Sequence, residues 1–265
     1  MVARPAFRWL AVLAVAVTAA LSLSACSSGS GSTATGTTNI PTSDPLPTGI
    51  PTLSVGPNVP ASEIARAMSA QLKAATAFKI YSTTTRTVKA STGSTTTTTT
   101  ISMHYGQTGS SGTITIDKLV IDFIRVGVDN YVKAPDAFWQ AQLTGTLASR
   151  LSLVHDKWVK NPSVGAEVLK LLPYTQKEPL MESLSSNKAT PTYLRGPNKT
   201  IGGVETAAVI DHANDRTLYV ATTGKFYLIE ADTVKGGGKT KADFTDWDQS
   251  FTVSAPPPQD VYVFA

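Results

Sequence analysis

Two stretches rich in threonine, valine, isoleucine and tyrosine flank a stretch with four-residue apolar spacing, and this order limits the fold more than any other feature. The β-branched and aromatic residues favour extended backbone. Strands are expected at 79–88, 96–105, 112–116, 120–126 and 130–133, broken at Gly93, 106–112 and 126–130 as antiparallel hairpins require. A second set is expected at 192–195, 204–211, 217–221, 225–232, 239–244 and 250–253. Between them, Trp139, Leu143, Leu147 and Leu151 recur every fourth residue, with Asp136 placed to cap a helix. Val164, Val168, Leu171 and Leu172 form another apolar stripe between Pro162 and Pro173, and 179–185 reads as a further short helix. Lys157–Lys160 reads as a short extended piece around Trp158. Ahead of the first strand, Ile64, Met68 and Leu72 mark a helix over 61–77 that starts just after Pro60. Strands, helices and strands again specify an α+β fold, an antiparallel sheet with helices against one face. About a dozen strands in one sheet are expected to curl strongly, and a curled sheet closed on one side by helices encloses an apolar volume.

The chain's one cysteine, Cys26, follows Leu23-Ser24-Ala25 at the end of an apolar stretch from Trp9 to Leu21, which Arg4 and Arg8 precede. A positive start, an apolar middle and small residues before a cut describe a secretory signal. A cysteine directly after Leu-Ser-Ala resembles the lipobox of a bacterial lipoprotein, in which the thiol is acylated and the chain is cut before it. Residues 1–25 are therefore expected to be the signal peptide and Cys26 the lipidation site. Residues 26–59, rich in Ser, Thr, Gly and Pro with Asp44 as the sole ionisable side chain, hold too little apolar surface to fold and read as a tether. Residues 60–265 suffice for one domain. Losing Arg4 and Arg8 with the signal takes the formal charge from +4 to +2, too weak a bias to argue for nucleic acid.

Four segments of the domain carry a resemblance: Arg125-Val126-Gly127 to Tyr131-Val132-Lys133; Lys157-Trp158-Val159-Lys160; Leu218-Tyr219-Val220-Ala221-Thr222-Thr223-Gly224-Lys225; and Phe244-Thr245-Asp246-Trp247-Asp248, followed by Val253-Ser254-Ala255-Pro256. In this succession, after a lipobox, they resemble the LppX/LprG family of actinobacterial lipoproteins. The resemblance implies an unclosed half β-barrel packed around helices, similar to LolA and LolB. It also implies binding of acylated lipid or glycolipid in a hydrophobic cavity. The threonine-rich segment 83–100 is more polar than the wall of such a cavity needs.

Catalytic and metal chemistry find little support. His104, His155 and His212 lie far apart with no metal-ligand spacing, no Gly-x-Ser-x-Gly elbow is present, and Cys26 is committed to acylation. Gly238-Lys239-Thr240 matches only the end of a phosphate-binding loop; Thr233 stands where that loop needs glycine, so Gly236–Gly238 reads as a hairpin turn. Asn198-Lys199-Thr200 fits a glycosylation pattern in a short turn. Asp243, Asp246 and Asp248 lack the glycine and distal glutamate of a calcium loop and read as a turn anchored by Phe244 and Trp247.

A non-catalytic protein without cofactor or metal is the resulting expectation, held on the extracytoplasmic face of the cell membrane through lipid on Cys26. Its ligand would be an acyl lipid or glycolipid. The residues expected to line the cavity are Ile114, Ile116, Ile121, Phe123, Leu147, Leu151, Val168, Leu172 and Met181, though plain core is the ordinary reading of any one of them. The alternative is an envelope interaction or sensor module without lipid cargo, bound to another exported protein through Trp139, Trp158 or Trp247.

Overall fold

The computed structural model describes residues 55–56, 58–90, 93–162, 166–185 and 192–264. The expected signal peptide, Cys26, most of the tether and Val164 lie outside the described residues. Val55, at the end of the expected tether, is already part of the folded unit. It is buried, and its amide donates to the Thr222 carbonyl at 2.7 Å.

Helix α1 (Ala61–Ala74) opens after Pro60, buries Ile64, Met68 and Leu72, and carries Glu63 in its first turn and Lys73 in its last, each favourable to the helix dipole. Two thirteen-residue strands follow, β1 (Phe78–Ala90) and β2 (Gly93–Tyr105). Strands β3 (Gly109–Ile116), β4 (Leu119–Val126) and β5 (Asp129–Lys133) extend the meander. The middle of the chain holds α2 (Asp136–Gln142), α3 (Leu151–Val154), β6 (Trp158–Lys160), α4 (Ala166–Leu171) and α5 (Lys177–Leu184). The remaining strands are β7 (Tyr193–Arg195), β8 (Lys199–Ile201), β9 (Val204–Asp211), β10 (Arg216–Ala221), β11 (Leu228–Lys235), β12 (Gly238–Thr245) and β13 (Val261–Val263).

All these strands form one sheet in the order β13-β6-β5-β4-β3-β2-β1-β12-β11-β10-β9-β7, with β8 also paired to β9. The fold is α+β, as expected, but two features of the expected sheet are corrected. It is open, neither closed nor strongly curled. Four of its strands, β6, β7, β8 and β13, are only three residues long, which leaves a set of long strands within the range that an open twisted sheet tolerates. It is also mixed, because β13 runs parallel to β6. The segment 250–253, expected as a strand, pairs with nothing. Its Phe251 stacks instead on His104 of β2, with ring centroids 3.8 Å apart.

The expected helix through Trp139, Leu143, Leu147 and Leu151 is broken. Leu143 is extended (φ −90°, ψ 93°) and Gly145 has φ 62°, a conformation few other residues accept, so α2 stops and a 3₁₀ turn over Gly145–Arg150 restarts the chain into α3. Asp136 makes no capping bond. Its carboxylate instead accepts from His155 Nδ1 at 2.9 Å, tying the start of α2 to the end of α3 and raising the imidazole pKa. The turn at Gly236–Gly237 joins β11 to β12 as the sequence indicated. Asn198 lies directly before β8, and its amide donates to Glu205 at 3.0 Å.

Candidate functional site

The candidate site is the sheet face beneath the helices. Registers place successive core-facing residues in rows across it. One row runs Val159, Val132, Phe123, Gly112, Met103, Ile80 and Phe244. The next runs Ile121, Ile114, Ile101, Ser82, Ala242, Ala231, Leu218 and Val209. Apart from Gly112 and Ser82, these residues belong to one buried apolar cluster that also contains Ile64, Met68 and Leu72 of α1. Burial of this kind contributes about 25 cal/mol per Å² of apolar surface removed from water.

Hydrogen bonds fix the helical layer over this face. Tyr105 donates through its hydroxyl to the Tyr174 carbonyl at 2.5 Å, and Ser110 to the Thr175 carbonyl at 2.6 Å. Lys177 Nζ donates to the Ala75 carbonyl at 2.6 Å, and Arg216 Nη1 to the Ser183 carbonyl at 2.7 Å. Burial, with a smaller contribution from Tyr174, pushes the Tyr105 phenol well above its ordinary pKa, so it stays a donor.

All nine residues expected to line a cavity fall in or against this cluster. Ile114, Ile121, Phe123, Val168 and Met181 are buried within it, and Ile116, Leu147, Leu151 and Leu172 are half-buried against it. Trp139, expected to be exposed if the chain were an interaction module, is fully buried, while Trp158 and Trp247 are half-buried.

Apolar patterning could not identify the polar groups of this interior. Gln71 on α1 is 3% exposed, and neither its amide oxygen nor its nitrogen has a hydrogen-bond partner. Trp139 Nε1 is buried and unpartnered as well. A third row on the core face, one step beyond Leu218 and Val209, is apolar at Leu119 and Ile116 and polar from there on: Thr99, Thr84, Thr240, Thr233, Arg216 and Asp211. The Thr84 and Thr240 hydroxyls bond each other at 2.9 Å. Asp211 is wholly buried and accepts from Arg216 Nε at 2.9 Å and Asn214 Nδ2 at 2.7 Å. The one available signal was charge in strand alternation, since Arg216 stands in phase with Leu218 and Val220.

The opposite face is charged. Glu230 lies between Lys241 Nζ at 2.6 Å and Lys199 Nζ at 2.9 Å. Burial raises its carboxyl pKa, but the two ammonium groups outweigh burial and hold it below its ordinary value. Beside Lys199 is a depression of about 220 Å³ lined by Asn198, Lys199, Thr200, Gly203 and Glu205. Two of its side chains are already engaged, Asn198 with Glu205 and Lys199 with Glu230.

The expected aspartate turn is a structural joint. Phe244 is buried and Trp247 stacks on Phe78 at 5.1 Å and on Tyr227 at 5.2 Å. Asp248 binds Thr76, Lys225 and Tyr227, and Asp243 lies 3.7 Å from Lys241. Among the described residues, no group of three or more His, Cys, Asp or Glu side chains is placed to hold a metal ion, and no helix is long and apolar enough to cross a membrane.

No protein-family model and no curated protein sequence matches the chain. Solved structures do. LprF from Mycobacterium bovis is 12% identical, covering 74% of this chain and 96% of its own, with a TM-score of 0.48. LppX from Mycobacterium tuberculosis is 15% identical, covering 73% and 98%, with a TM-score of 0.43. A LolA-superfamily protein from Nitrosomonas europaea is 11% identical, covering 76% and 96%, with a TM-score of 0.21. All three likenesses are at 15% identity or less and at TM-scores below 0.5.

Proposed function

We propose that this chain is a non-catalytic exported lipoprotein, anchored through Cys26, that holds an acyl lipid or glycolipid between its sheet and its helices and moves it through the cell envelope. The observation that carries the reading is Gln71, an amide 3% exposed with both polar ends unpaired beside an apolar cluster. A plain core would hold that amide unsatisfied at a cost of about 1–3 kcal/mol. An acyl ester supplies an acceptor for the amide nitrogen and carries chains that gain about 0.8 kcal/mol per buried methylene. The nine apolar residues gathered around the helices support the same reading, because ligand sites are mostly apolar with few polar groups to orient the guest. Anchoring at Cys26 and a tether would keep the domain close to its lipid source, with the tether allowing it to approach the bilayer.

The test is native mass spectrometry with organic extraction, run on the full chain carrying Cys26→Ala so that anchor lipid is not counted as cargo. Near-stoichiometric co-purified lipid from an actinobacterial host is expected. A lipid-free protein that also takes up no added acyl lipid would leave the envelope interaction module as the better account.

A further inference from the structure

The core face of the sheet changes character between two adjacent rows. In one, Ile114, Ile101, Ala231 and Leu218 are buried apolar residues. In the next, on the same face, Ile116 of β3 is followed by Thr99, Thr84, Thr240 and Thr233, all half-buried, and then by Arg216 and Asp211. A wall that is apolar along one row and hydroxyl-bearing along the next matches an amphiphile lying across it. Simple core would not need the second row.

The ion pair at the end of the polar row narrows the ligand's chemistry. The Asp211 side chain is 0% exposed and that of Arg216 7%. Arg216 spends Nε on Asp211 and Nη1 on the Ser183 carbonyl. Its Nη2 lies 2.9 Å from Asp211 Oδ2, yet it makes no well-formed hydrogen bond. Asp211 Oδ1 is also buried without a donor. An unsatisfied donor and an unsatisfied acceptor therefore sit on one pair of side chains, within reach of a single group. A hydroxyl can serve both, accepting from Nη2 and donating to Oδ1. A phosphate is disfavoured, because it would bring its negative charge against the Asp211 carboxylate. An ammonium would meet the guanidinium in the same way.

We propose that Asp211 and Arg216, continued by the hydroxyls of Thr233, Thr240, Thr84 and Thr99, form a headgroup subsite for a neutral, hydroxyl-bearing group such as a sugar or polyol. This rests on the lipid-binding reading above and adds to it the position and charge of the headgroup.

Three fluorescent probes with identical acyl chains test it on the full chain: a diacylglycerol, its monoglucosyl derivative and its phosphate ester. The wild type is expected to bind the glucosyl probe about tenfold more tightly than the bare diacylglycerol, with the phosphate ester weakest. Replacing both members of the pair, Asp211→Leu with Arg216→Met, avoids leaving one buried charge alone and should bring the ratio of glucosyl to bare affinity close to one. Thr233→Val, on the strand beside Arg216, should lower the same ratio severalfold at nearly constant side-chain volume. Because the readout is a ratio within one protein, a general loss of folded protein does not imitate it. Equal affinity for all three probes, strongest binding of the phosphate ester, or a ratio unchanged in both variants overturns this inference alone. A wild type that binds none of the three overturns it together with the reading it rests on.

Discussion

Asp248 joins three segments that are remote in sequence. Its carboxylate accepts from the Thr76 amide and Lys225 Nζ at 2.8 Å each, from the Tyr227 hydroxyl at 2.8 Å and from the Thr76 hydroxyl at 3.2 Å. Burial works against ionisation, but the bonds from Lys225, Thr76 and Tyr227 outweigh it and hold the carboxyl at about 2. A carboxylate depressed in the folded state stabilises it above the unfolded pKa and loses that contribution as pH falls through the folded one. Asp248→Ala should therefore lower stability by about 1–3 kcal/mol at neutral pH. The difference in melting temperature between wild type and variant should shrink as pH is lowered from about 4 to about 2; a gap independent of pH would remove Asp248 from this role. Trp247 donates through Nε1 to the Leu228 carbonyl at 3.0 Å, so the aromatic anchor and its acidic neighbour secure the same corner.

At the level of elements, β2 and β3 approach each other closely at Gly112. A Cβ on Gly112 would come 2.0 Å from the Ser102 carbonyl oxygen and 2.7 Å from the Met103 Cα, both backbone atoms that cannot step aside cheaply. Gly112→Ala should destabilise the protein by about 1–3 kcal/mol through displacement of the ladder, measured as a fall in the denaturation midpoint. An unchanged midpoint would show that the two strands can separate at no cost. The long strands were legible from sequence because β-branched runs and glycine breaks fix both period and ends. Two of the short ones were not: Lys199–Ile201 and Val261–Val263 are strands only because β9 and β6 lie beside them. The stretch 250–253 shows the converse, since Phe251 finds a ring rather than a ladder partner. Apolar periodicity singled out nine residues that fall in or against the cluster but was blind to Gln71, Asp211 and Arg216, whose surroundings come from partners brought together by folding.

Across the whole molecule, stability should be graded along the long hairpin. Toward its tip, the core-facing positions Arg86, Val88, Thr95 and Thr97 are only half-buried, whereas Ile80, Ile101 and Met103 are buried. Hydrogen exchange of the ladder amides at 86–88 and 95–97 should therefore run ahead of exchange at 80–82 and 101–103; uniform protection would mean that an unobserved contact holds the tip. The sheet order carries a further consequence, for folding. β1 and β12 are neighbours at its centre, and Thr84 and Thr240, which meet there, are 156 residues apart along the chain. Each flanking meander can assemble from contacts close in sequence, but this seam demands closure of a long loop and should set the pace. Until it closes, two bare strand edges stand exposed, and pairing with another copy of the chain competes with pairing within the same one.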